Sequence, residues 1–163
     1  MVVYHPAFDS FHCITRLSKI LKLLPSKKRH LDRIRIYDYY FLFINDLENI
    51  SIPVEFSEYR QYKKIISNSK YNKVISPKLS FFQLEKIQDL AIQTLASYGF
   101  INKELLCESI ILNTALEIPP ILVEKITEEE KKYLELVSNV FEKMSLRQLK
   151  ERTKLMEYRY ELS

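Results

Sequence analysis

The residues best equipped for chemistry crowd the start of the chain. Tyr4-His5-Pro6-Ala7-Phe8-Asp9-Ser10-Phe11-His12-Cys13 brings two imidazoles, a carboxylate and a thiol together. Such side chains hold zinc, but zinc sites draw on ligand pairs at short fixed spacings. No second pair completes a set here, because His30 and Cys107 stand alone. The structural reading is that Asp9 or Ser10 caps a helix, with Asp9 three residues before His12, close enough to pair over one turn. Nucleophilic catalysis finds no better footing. No Ser-His-Asp or Cys-His-Asn set assembles, and no Gly-x-Ser-x-Gly elbow is present. The chain has one glycine, Gly99, which excludes Walker A loops and dinucleotide-binding fingerprints. The expectation is no catalytic residue, no metal ligand, no cofactor and no enzyme.

Binding chemistry is better represented. The net charge is +4, but it is unevenly spread. Ile14 to Lys78 holds 14 bases against 6 acids, a net of +8, whereas Leu79 to Ser163 nets −3. A basic segment can face phosphates, and the candidate DNA-binding residues are Lys27, Lys28, Arg29, Arg33, Arg35, Lys63 and Lys64. The bland alternative is a solvated surface in a lysine-rich protein. The aromatic set Tyr37, Tyr39, Tyr40, Phe41 and Phe43 suits base stacking, but at helical spacing such residues usually form core. Tyr59, Tyr62 and Tyr71, interleaved with Arg60, Lys63, Lys64, Lys70 and Lys73, fit a nucleic-acid face somewhat better.

Helices must position these residues. The first starts at Asp9 or Ser10, repeats apolar residues at Phe11, Ile14, Leu17, Ile20, Leu21 and Leu24, and stops at Pro25. Arg16, Lys19 and Lys22 would take its other face. A second helix covers about Leu31 to Phe43, although Ile34-Arg35-Ile36-Tyr37 also fits a strand. Leu47 to Phe56 is irregular around Pro53, with Ile50, Ile52 and Val54 alternating like an edge strand. A short helix follows from Glu58 to Ser67, then a loop and a short strand at Lys73 to Ser76. The next helix carries Leu84, Ile87, Leu90, Ala91, Thr94, Leu95 and Tyr98 and ends at Gly99, where a left-handed cap belongs. Asn102 to Leu112 looks helical, giving a helix-turn-helix, with Leu116 to Val123 a doubtful wing broken by Pro119-Pro120. Thr127 and Ser145 each open a capping box. The helix from Ser145 runs to about Tyr158, with a thin stripe of Leu146, Leu149 and Leu155. That stripe is either a partner-binding face or a piece of the core.

The expected fold is mainly α: a compact helical domain with a winged-helix-like form and a few short strands. It reads as a single domain over residues 1–163. Within it an N-terminal helical segment covers residues 1–70, a helix-turn-helix-like segment covers 76–125 and C-terminal helices cover 127–158. Length and an ordinary apolar share of 47% support one core. No apolar run reaches the roughly 20 residues of a membrane helix. No leader pattern opens the sequence, and two cysteines build no disulfide framework. A cytoplasmic protein with reduced thiols is expected.

One resemblance adds to this reading. His5-Pro6-Ala7-Phe8-Asp9, then His12 and Arg16, followed by Leu31-Asp32-Arg33-Ile34-Arg35-Ile36-Tyr37-Asp38-Tyr39-Tyr40-Phe41-Leu42-Phe43, resembles the small middle-component subunits of bacterial ABC-three-component systems. The similarity continues through Gln88, Ala91, Leu95, Ala96 and Gly99 to Ile101. It departs at Tyr39-Tyr40-Phe41, where the family pattern reads Phe-Tyr-Leu, and at Asn45, where a proline follows the phenylalanine. The motif residues are His5, Pro6, Phe8, Asp9, His12, Arg16 and Asp38. The resemblance implies an antiviral or anti-plasmid defence complex of the Lamassu-like, SMC-type kind. In it a non-catalytic scaffold links an SMC-like ATPase with a coiled coil to an effector, often a nuclease. Double-stranded DNA would be met through the complex, and the small subunit would act like a winged-helix accessory subunit. The alternative function is a stand-alone winged-helix DNA-binding regulator reading the groove with Asn102 to Asn113, a stretch poor in bases for that task.

Overall fold

The computed structural model describes residues 8–67 and 76–157. Helix α1 spans Ser10–Leu23, and Asp9 caps it by accepting from the Phe11 amide. Pro25 follows directly on its extended C-cap, Leu24. Strand β1 is Arg29–His30, and α2 runs Leu31–Leu42. Two 3-10 turns, Ile44–Asn49 and Val54–Phe56, replace the expected edge strand, and Val54 is exposed. Helix α3 covers Tyr59–Ser67. The loop and short strand expected at residues 68–75 lie outside the described residues.

Helix α4 runs Pro77–Ser97, with proline at the first helical position, where no amide partner is lost. Gly99 ends it with φ +86. The Phe100 amide donates to Leu95 O and the Gly99 amide to Ala96 O, which is the Schellman pattern. The expected eleven-residue second helix shrinks to α5, Lys103–Cys107, capped by Asn102. Two things stop it: Ser109 takes a left-handed φ of 61, and Ile110–Ile111 leaves to form β2. β-Branched isoleucine favours that extended form. β2 pairs antiparallel with β1, Arg29 opposite Ile111 and His30 opposite Ile110. Where a wing strand was doubtful at Leu116 to Val123, a 3-10 turn at Pro120–Leu122 appears. Helix α6, Glu128–Asn139, is capped by Thr127. A 3-10 turn at Phe141–Lys143 leads to α7, Leu146–Thr153, which opens with a complete Ser145–Gln148 capping box and closes at a left-handed Lys154. Among the described residues the fold is mainly α, with one two-stranded sheet.

Contacts group the chain into two compact units, residues 1–38 with 83–126 and residues 39–82 with 127–163. The first takes α1, β1, α5, β2 and most of α2 and α4. Its interior holds Cys13, Leu17, Ile20, Ile34, Ile36, Leu84, Ala91 and Leu95. The buried side of α4 is rotated from the expected stripe: Leu90 and Tyr98 point to solvent, and Gln88 is buried instead. The second unit has an aromatic core. Tyr39 packs edge-on against Tyr40 and Phe81, Tyr40 meets Phe141, and Phe41 meets Tyr133. Edge-to-face pairs bring the positive rim of one ring to the negative face of another.

A Cβ on Gly99 would meet only Leu116 Cδ2, at 3.6 Å, so space is not the constraint. The backbone conformation is. Gly99→Ala is expected to cost about 1–2 kcal/mol and to lower Tm by roughly 2–8 °C. Thermal unfolding followed by circular dichroism checks this; an unchanged Tm would mean the left-handed cap carries no strain.

Candidate functional site

The residues of the first unit that could do chemistry converge on Asp38. Arg16 of α1 lies two turns inside the helix, where a stripe reading would put it in solvent. It is buried, and its Nε and Nη2 donate to Asp38 Oδ1 and Oδ2 at 2.7 and 3.2 Å. Gln88 Nε2 of α4 donates to Asp38 Oδ2 at 2.9 Å and to Arg35 O at 3.2 Å. The Cys13 thiol, one helical turn before Arg16, points to the same oxygen at 3.8 Å. Asp38 is fully buried. Burial works against the Arg16 charge, yet Asp38 more than offsets it and raises the guanidinium pKa. Burial, reinforced by Asp38, pushes the Cys13 thiol far up.

A second knot lies beside the first. Arg35, one turn before Asp38 on α2, is buried against Asp32 and Glu85, and its Nη2 donates to Asp89. Asp32, Arg35 and Asp38 follow one another at helical spacing of three. They present alternating charge to α1 and α4, whose own side chains complete the pairs.

This arrangement holds elements together and leaves little for catalysis. Arg16 and Gln88 donate to Asp38 and the Cys13 thiol points to it, so this carboxylate is engaged in holding helices together. A thiol with a raised pKa is a poor nucleophile. Among the described residues no group of three or more His, Cys, Asp or Glu is placed to hold a metal ion. A shallow groove of about 360 Å³ borders the end of α1, but its polar lining is engaged: Lys22 Nζ donates to Glu117 and Ile118 O, and Asn113 Nδ2 to Leu21 O.

Of the sequence motif, His5 and Pro6 lie outside the described residues. Phe8 is partly exposed. Asp9 caps α1 and pairs with His12 Nδ1 at 2.6 Å, as their spacing suggested. The phosphate-facing set divides between buried and exposed positions. Arg35 is consumed by its carboxylates. Arg29 is buried with Nη2 on Pro25 O, Arg33 is half-buried with Nη1 on the Tyr37 hydroxyl, and Lys63 Nζ donates to Glu48 O and Ile50 O. Lys19, expected on the outer face of α1, is buried with Nζ on Lys125 O. Lys27, Lys28 and Lys64 are exposed. The aromatic set from Tyr37 to Phe43 is core, as its helical spacing favoured: Tyr37 and Tyr39 have no exposed surface. The Tyr39 hydroxyl donates to Asp46 Oδ2 and Asn49 Nδ2 to Oδ1. Burial raises the Asp46 carboxyl pKa, and those two bonds partly restrain the rise.

The stripe on α7 was open to two readings. Leu149 and Leu155 are buried and Leu146 is half-buried, so the core alternative describes them. α7 is anchored further by Arg152 Nη1 on Ser51 O and Oγ. Sequence reasoning missed Gln88, Glu85 and Asp89 as structural partners. Their only advance signal was the alternating charge of α2, which required partners somewhere.

Two outcomes follow from this geometry. Asp38→Ala leaves Arg16 buried without a counter-charge and is expected to cost about 3–5 kcal/mol in urea denaturation, while Arg16→Met with Asp38→Leu recovers most of that loss. A single variant within about 1 kcal/mol of the parent would show the pair to be dispensable. In the second unit, Leu149→Ala is expected to cost about 2–5 kcal/mol, and Leu146→Ala distinctly less. Equal effects in the same denaturation series would contradict their different burial.

One comparison with known proteins agrees with the family resemblance. No curated protein and no solved structure matches the chain significantly. The model of one family, described as ABC-three component (ABC-3C) system Middle Component 5, matches residues 2–161. A match over that span places Asp9, Arg16, Asp38 and Gln88 inside the family's own domain, and the chain belongs to this family of ABC-three-component middle components, accessory parts that work with the other components of such systems.

Proposed function

We propose that the chain is a non-catalytic scaffold subunit that links an SMC-like ATPase to an effector in a cytoplasmic defence complex directed against phage or plasmid DNA. The observation that carries this reading is the family match over residues 2–161. The buried Asp38 cluster supports it, since Arg16, Gln88 and Arg35 in the first unit are engaged in holding α1, α2 and α4 together. A scaffold needs this kind of interior, because a rigid body transmits position between partners better than a fluctuating one. In the resemblance, DNA is met by the assembled complex, so partner surfaces rather than a pocket carry the function. The stand-alone regulator has less support. Its recognition helix would be α5, whose five residues include one base, Lys103.

Co-expression with the SMC-like ATPase and the effector of such a system tests the reading. The expected outcome is a complex that survives size-exclusion chromatography, while the chain alone hydrolyses neither ATP nor DNA. A chain that elutes apart from both components, or that cleaves DNA alone, would overturn it.

A further inference from the structure

We draw no further inference here: the strongest candidate, the groove of about 360 Å³ in the first unit beside the C-terminal end of α1, with Leu116 exposed on its edge, carries nothing because nothing in the structure shows what covers it.

Discussion

An ionised carboxylate with no exposed surface is tolerable only if its charge is matched and its lone pairs are filled. For Asp38 the matching charge comes from Arg16 of α1, while Gln88 of α4 and the Cys13 thiol reach the same carboxylate. The desolvation of two ions in a low-dielectric interior costs several kcal/mol each, so the pair cannot be an ornament added to a finished core. It demands that α1 and α4 approach α2 at one register and no other. A slip of a single residue in any of the three helices would leave a guanidinium or a carboxylate buried alone.

The Arg35 cluster repeats the device at the next turn of α2. Here the carboxylates are more exposed, Asp89 at 51% of its side chain against 0% for Asp38, and water shares the work of solvating them. The two clusters meet at Gln88, whose amide hydrogens reach both Asp38 and the carbonyl of Arg35. The amide orientation is fixed by this geometry, because both partners are acceptors and only the nitrogen can serve them. Polar specification of this kind fixes which helices meet, while the leucine and isoleucine around it supply the burial.

The second unit solves the same problem with rings. Tyr39, Tyr40, Phe81, Phe141 and Tyr133 are almost wholly buried, and their edge-to-face contacts restrict orientation as well as excluding water. The buried Tyr39 hydroxyl finds its acceptor in Asp46. Among the described residues, the Asp38 and Asp46 carboxylates are thus spent on internal order in the first and second units.

The features legible from sequence were those decided within a few residues. Asp9, Thr127 and Ser145 cap because each side-chain oxygen reaches an amide two or three residues on. Pro25 stops α1 and Gly99 stops α4 because their own backbone preferences forbid or allow a single conformation. Of the motif residues, Asp9 caps α1 while Arg16 and Asp38 join α1 to α2. Tertiary structure alone decided which charges were structural. Arg16 finds Asp38 22 residues away, Asp38 finds Gln88 at 50 and Arg35 finds Asp89 at 54, separations that no local spacing encodes. The same holds for α5, where β1, far earlier in the chain, captures Ile110–Ile111 and cuts the helix short. A run of positive charge therefore read as one basic face, and the fold sorted it into buried partners and a smaller exposed set. The physical reason is that a charge is assigned by what surrounds it, and its surroundings come from distant segments of the chain.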